Sequence, residues 1–137
     1  MSLLHLHWVK SVGIDQAWDG LHFLLTGLSL TDTVPSPPPL GNVVQGGTPT
    51  EWEATFGTVR YLTPQEVKAV SFALDQITEA DLRTRYSPKT FRRAGIYPGG
   101  EVWDESGIEY LLEVFSKVRD FYSAAAREGD VVLLSFD

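Results

Sequence analysis

The apolar residues of this chain recur with two periods, one typical of helices and one typical of strands. Helical spacing predicts five amphipathic helices. They cover about residues 15–27, 64–77, 78–86, 87–95 and 106–128. Alternation at 3–9 is typical of a strand with one buried face, and 58–62 is predicted as a second strand. The almost uninterrupted apolar run at 131–136 predicts a central strand.

Residues typical of caps mark several helix ends. Thr63, Pro64 and Glu66 have the spacing of a capping box with proline at the first helical position. Asp15 is a predicted N-cap, and Gly27 a predicted C-terminal stop, for the first helix. The helices are therefore bounded by local signals as well as by periodicity.

Helices and a few strands alternate irregularly, which predicts an α+β fold with a small mixed sheet packed against several helices. The length of 137 residues is typical of one domain. Residues 31–57 are rich in proline, glycine and threonine and have no sustained periodicity. We therefore predict a single domain over 1–137 with a long loop at about 31–57.

The composition argues against several classes of function. Eleven basic and eighteen acidic residues give a formal charge of −7, so neither nucleic acid nor an anionic membrane is a predicted partner. The basic cluster at 83–93 is interpreted as a solvated helical corner. The chain has no cysteine, which excludes thiol chemistry and fits a reducing cytoplasm. With no leader and no bilayer-spanning run, we expect a cytoplasmic protein.

Metal and cofactor sites have little support in the sequence. His5 and His7 would share one face of the first strand, where two imidazoles can bind a divalent metal, but no second histidine pair accompanies them. The glycines at 41, 46 and 47 follow neither the dinucleotide nor the phosphate-loop spacing. We therefore predict no metal and no cofactor.

Polar residues form a stripe on the first helix, opposite its leucines. Asp15, Asp19, His22 and Thr26 line up at helical spacing. His22 is a candidate general base with Asp19 orienting it, because a carboxylate three residues away can contact the imidazole and favour its charged form. The alternatives are a solvated helix face with a local contact between the two side chains, or a structural His22 that ties the long loop down by one hydrogen bond.

Aromatic residues and one hydroxyl supply the candidate binding residues. If some of the rings converge near the long loop and the "IYPGG" turn at 96–100, they would line an amphipathic pocket. Core packing is the alternative, above all for Trp18 on the apolar helix face. The candidates are Thr26, Trp52, Tyr61, Tyr97 and Trp103, with Trp18 and Phe56 in the same aromatic set.

Four separated blocks of the sequence resemble the YfbM-like family of bacterial proteins of unknown function. The blocks are "DQAWDGLHFLLTG", "RYLTPQEV", "IYPG" and "EYLLEVFSKVRDFYSAAAREGDVVLLSF", and together they span 15–136. The resemblance implies a compact α/β-type domain in the bacterial cytoplasm and no established activity. Members usually carry a strand and a helix before the first block, whereas fourteen residues precede it here. Either the strand predicted at 3–9 replaces the missing one, or the sheet has lost a neighbouring strand. A lost strand would leave an open sheet edge, which recruits partners such as a second copy.

Two functions follow from these observations. The lack of a recognised catalytic spacing favours a non-catalytic domain that binds a ligand, another protein or a second protomer. The alternative is a small acid–base enzyme of hydrolytic type that uses His22 and Asp19. The surroundings of His22 discriminate between the two, because a base must face a cavity rather than bulk water.

Overall fold

A five-stranded antiparallel sheet forms the frame of the structure. The computed structural model describes residues 2–5, 10–32, 35–99 and 102–136. The strands lie side by side in the order β2-β1-β5-β4-β3, and every described pairing is antiparallel rather than mixed. Their bounds are β1 Ser2–His5, β2 Lys10–Gly13, β3 Thr48–Ala54, β4 Gly57–Leu62 and β5 Val132–Ser135.

The apolar C-terminal strand occupies the middle of the sheet, as its sequence predicts. Leu134 lies opposite Leu3 on one side and Arg60 on the other, while Val132 lies opposite Leu62. Leu134, Val132, Leu3 and Leu62 are buried, whereas the alternate positions of β5 are half-buried. One face of the sheet is thus core, and Arg60 lies on that same face.

The described residues form five α-helices, whose apolar sides make the core together with the buried sheet face. The longest, α5, buries the apolar residues that its period predicts, and it packs against α2. No helix in the described ranges is long and apolar enough to cross a membrane. The helices are α1 Trp18–Thr26, α2 Pro64–Asp75, α3 Glu79–Arg85, α4 Pro88–Arg93 and α5 Gly107–Glu128.

The predicted caps of α2 and of the end of α1 are present. The Thr63 Oγ1 accepts from the Glu66 backbone N–H at 3.2 Å, and the Glu66 carboxylate accepts from the Thr63 N–H at 3.0 Å. Gly27 ends α1 with a positive φ of 79°, a conformation that favours glycine. At the other end α1 follows a 3-10 turn over Asp15–Ala17, and Ala17 is its N-cap in place of the predicted Asp15.

Two segments differ from the sequence prediction. The predicted loop at 31–57 contains β3, which pairs with β4 along the sheet edge. Most residues of β3 are exposed on both faces, so no apolar alternation marked it as a strand. Two strands, β1 and β2, also precede α1 where a single strand over 3–9 was predicted. Residues 6–9, including His7, lie outside the described residues.

Candidate functional site

Asp19 is a buried carboxylate that ties two distant segments to α1. Its exposed fraction is 1%. Oδ1 accepts from the backbone N–H of Leu30 at 2.9 Å, and Oδ2 accepts from the backbone N–H of Tyr97 at 3.1 Å. The Ser29 hydroxyl donates to the same carboxylate, at 3.1 and 3.2 Å from its two oxygens. A carboxylate that accepts from fixed donors is a strong structural anchor in a low-dielectric site.

His22 is buried beside that anchor, with an exposed fraction of 3%. Its Nε2 lies 3.0 Å from the Ser36 hydroxyl, and its buried Nδ1 has no hydrogen-bond partner in the part of the chain that the structure describes. Burial lowers the pKa of the imidazole below its ordinary value, although the nearby charges of Asp19 and Asp32 act in the opposite direction. The neutral form is therefore favoured, and one ring nitrogen remains available.

The polar stripe predicted on α1 is not a solvated face, since both Asp19 and His22 are buried. No hydrogen bond joins them: the Asp19 oxygens are occupied by Ser29, Leu30 and Tyr97, and the His22 Nδ1 has no partner. Helical spacing placed the two side chains on one side of α1 correctly. It did not show that the chain after residue 28 and the turn at Tyr97 cover that side.

A polar cavity of about 350 Å³ opens next to His22. One wall comes from the segment after α1, and the opposite wall comes from the 3-10 turn at Leu40–Asn42, the following glycines and β4. The side chains facing it are mostly polar. The lining residues are His22, Ser29, Leu30, Asp32, Pro35, Ser36, Gly41, Asn42, Gln45, Gly46, Gly47 and Arg60.

Arg60 brings a positive charge to this cavity without a neutralising carboxylate. Its Nε donates to the Gly46 carbonyl at 3.0 Å, and its Nη2 donates to the Gly47 carbonyl at 3.1 Å. Arg60 forms no ion pair with any residue of the described ranges. Two carbonyls thus hold the guanidinium in place while leaving its charge available to a ligand.

An aromatic groove of about 500 Å³ adjoins the polar cavity. Trp18 and Tyr97 stack with ring centroids 4.9 Å apart, and Phe136 meets Trp18 edge to face at 5.7 Å. Phe56 borders the groove and is 73% exposed. The predicted convergence of rings near the "IYPGG" turn therefore occurs with Trp18, Phe56 and Tyr97.

The cavity and the groove share a wall. Leu30 and Gln45 line both of them. A smaller cavity of about 120 Å³ also borders Gln45, and it contacts Arg60 on one side and Phe56 on the other. We call these three neighbouring cavities together, from His22 and Arg60 to Trp18 and Tyr97, the composite groove.

The other candidate residues lie elsewhere. Trp103 is fully buried in the core, where its indole N–H donates to the Ile96 carbonyl at 2.8 Å. Trp52 is exposed on β3, and Tyr61 is half-buried on β4; neither lines the composite groove. The Thr26 hydroxyl donates to the His22 carbonyl at 2.8 Å and accepts from the Leu28 N–H, an arrangement that closes the end of α1.

Sequence reasoning missed Arg60, Asp32 and Gln45. Arg60 had a signal, because strand alternation puts it on the same face as the apolar Leu62, and a charged residue on a core face is informative. Asp32 and Gln45 lie in loops and carry no comparable signal. The described residues contain no cluster of acidic or histidine side chains suited to a metal ion, and the side chain of His5 and all of His7 lie outside that description.

The chain thus has an α+β fold whose antiparallel sheet and helices support a polar cavity beside an aromatic groove. A family model described as "Domain of unknown function (DUF1877)" matches residues 5–135. Protein YfbM of Escherichia coli (strain K12) is 33% identical over 122 residues, which are 89% of this chain and 72% of the relative. The chain belongs to the DUF1877 family.

A solved structure has the same fold. The crystal structure of YfbM from Escherichia coli, titled as a protein of unknown function, superposes with a TM-score of 0.78 at 23% identity. The match covers 96% of this chain and 96% of the other. The α+β class and the resemblance to the YfbM-like family are therefore confirmed, and the activity of the family is unknown.

Proposed function

We propose that this protein is a non-catalytic domain that binds a small molecule in the composite groove. The observation that carries the proposal is the Arg60 guanidinium, which has no ion pair within the described residues and borders a polar cavity that shares lining residues with an aromatic groove. Small-molecule sites combine apolar walls with a few convergent polar groups, and their volumes are about 300–1,000 Å³. The composite groove has both properties.

The geometry supports a site prepared in advance of binding. Asp19 fixes Leu30 and Tyr97, and the Gly46 and Gly47 carbonyls fix Arg60. Residues held by hydrogen bonds lose little freedom when a ligand arrives, which favours affinity. This arrangement supports a small-molecule ligand over the alternative of a protein or a second protomer, because the fixed groups converge in a depression rather than on a flat face.

The competing function is acid–base hydrolysis with His22 as the base. Three observations favour it: the imidazole lines a cavity, its pKa is lowered, and its Nδ1 has no hydrogen-bond partner among the described residues. Against it, Asp19 makes no hydrogen bond to His22 and so does not set its tautomer. Hydrolysis of p-nitrophenyl acetate or p-nitrophenyl phosphate that is lost in a folded His22→Asn variant would contradict the non-catalytic proposal.

The binding proposal is tested by NMR with a diverse fragment mixture and the ¹⁵N-labelled protein. Fragments that bind are expected to move the amide signals of Gly46, Gly47 and Tyr97 while leaving those of α5 in place. A matched pair of variants localises the effect: Trp18→Leu removes a ring of the groove, whereas Trp52→Leu removes an exposed ring outside it. A library that moves no signal at the groove, or equal binding by both variants, would contradict the proposed function.

A further inference from the structure

We infer that the ligand of the composite groove is a free α-amino acid with a large apolar side chain, preferably an aromatic one. This inference rests on the proposed function and names the class of molecule that fits its charges. Such a molecule presents a carboxylate, an ammonium group and a ring close together on one small framework. The composite groove offers a matching environment for each.

Two opposite charges line the polar cavity and do not neutralise each other. Arg60 and Asp32 both border it, and neither forms an ion pair within the described part of the chain. A simple anion would satisfy Arg60 and be repelled by Asp32, and a simple cation would have the reverse difficulty. A zwitterion satisfies both residues at once.

Each of these charged groups has uncommitted hydrogen-bonding capacity. Among the described residues, Arg60 uses Nε and one hydrogen of Nη2 on the two glycine carbonyls, which leaves Nη1 and the second Nη2 hydrogen for a carboxylate. Within the same part of the chain, Asp32 uses Oδ2 to accept from the Ser29 backbone N–H at 2.7 Å, which leaves Oδ1 for an ammonium group. The same hydrogen bonds that consume part of each group also fix its position.

The overall charge of the protein also favours a zwitterion over an anion. A formal charge of −7 lowers the local concentration of anions around the molecule. A zwitterion has no net charge and is not excluded by that field. A free amino acid can therefore reach Arg60 without the penalty that a carboxylate alone would meet.

The aromatic groove supplies the third environment. It shares the lining residues Leu30 and Gln45 with the polar cavity, so the side chain of a ligand can lie in it while the charged groups stay with Arg60 and Asp32. The stacked Trp18 and Tyr97 rings, with Phe136 at their edge, present the surface against which a planar apolar side chain packs well. A small side chain such as that of alanine would leave this groove unfilled.

Isothermal titration calorimetry on the full chain tests the inference with four probes. L-Phenylalanine has all three groups; hydrocinnamate lacks the ammonium group, phenethylamine lacks the carboxylate, and L-alanine lacks the ring. We expect L-phenylalanine to bind at least about tenfold more tightly than each of the other three. Equal affinity for hydrocinnamate or phenethylamine would overturn the zwitterion assignment, and equal affinity for L-alanine would overturn the role of the aromatic groove.

Two charge variants give a reciprocal pattern that a general loss of structure would not produce. Asp32→Asn should weaken L-phenylalanine about tenfold and strengthen hydrocinnamate, because the carboxylate that repels this anion is gone. Arg60→Gln should weaken L-phenylalanine and strengthen phenethylamine for the corresponding reason. The exposed Asp75→Asn and Arg93→Gln serve as matched controls. If circular dichroism shows Arg60→Gln to be unfolded, Asp32→Asn and the four wild-type titrations decide the question. Loss of binding to every probe in Asp32→Asn would contradict the assignment.

The failure of this inference can be told apart from the failure of the proposed function. If the fragment mixture binds at the groove but L-phenylalanine does not, the amino-acid assignment is overturned and the binding function stands. If neither the fragments nor the four probes bind there, both are overturned.

Discussion

Replacing Asp19 by asparagine is the most direct test of how this fold supports its groove. The carboxylate accepts from Leu30 N–H through Oδ1 and from Tyr97 N–H through Oδ2. An asparagine of the same shape keeps one acceptor oxygen and puts an NH₂ group in place of the other. In either orientation one backbone N–H then faces a donor instead of an acceptor.

The size of the effect follows from the one backbone N–H that loses its acceptor. A hydrogen bond to a charged group contributes about 1.5–3 kcal/mol, and a buried donor left without an acceptor costs about 1–3 kcal/mol. Removing a buried charge also relieves its desolvation, which offsets part of the loss. We therefore expect Asp19→Asn to lower the free energy of unfolding by about 2–3 kcal/mol, or the Tm by roughly 8–12 °C for a domain of this size.

Urea unfolding followed by circular dichroism measures this change, with Asp75→Asn as the control because Asp75 is exposed at the end of α2. The urea concentration at the midpoint of unfolding should fall, and the m-value should stay constant. Amide hydrogen exchange adds an internal comparison. The Leu30 and Tyr97 amides should exchange faster in the variant, while the Gly27 amide, bonded to the Phe23 carbonyl, should not. A stability within about 0.5 kcal/mol of wild type, with both amides still protected, would refute the anchoring role of Asp19.

Three further predictions concern local features. Burial lowers the pKa of His22 in the folded protein, whereas His22 of the unfolded chain takes up its proton at about pH 6.5. The free energy of unfolding should therefore fall on acidification from neutral pH until the pKa of folded His22 is passed. Urea unfolding measured at several pH values should show that the free energy of unfolding falls less on acidification in His22→Asn than in the wild type. An equal pH dependence in the two proteins would contradict this. Gly20→Ala should cost about 1–2 kcal/mol despite the better helix propensity of alanine, because its Cβ would lie 2.6 Å from the Trp103 Cη2. Gly13→Ala, with nothing within 4 Å, is the thermal-melt control. Thr63→Ala should lower the free energy of unfolding by about 1 kcal/mol through loss of the capping box, and an unchanged melt would contradict that.

Local features of the fold were predictable because they depend on neighbours in sequence. The capping box of Thr63 and Glu66 involves residues three positions apart, and the Gly27 cap depends on one residue and the turn before it. Strand β3 was not predictable in the same way. Its residues are largely exposed, and its pairing with β4 depends on backbone hydrogen bonds that leave no apolar pattern.

The candidate site was only partly predictable, because its chemistry depends on contacts between distant segments. Periodicity placed Asp19 and His22 on one side of α1, but the Tyr97 N–H that occupies Asp19 comes from 78 residues further along the chain. Nothing in a local window shows such a partner. Arg60 differs, because strand alternation in the sequence is enough to predict an inward-facing charge at this position. Its carbonyl partners and the adjoining cavity could be found only in the structure.

A single short helix connects the stability of this protein to its groove. Trp18 directs a ring to the aromatic groove, Asp19 holds the two segments that border it, and His22 lines the polar cavity. The other side of α1 is core, where Gly20 lies directly against Trp103. A rotation of α1 would therefore disturb the core and the groove together. The core packing that fixes the helix also fixes the groups available to a ligand, which is the condition for a site held ready on a rigid element.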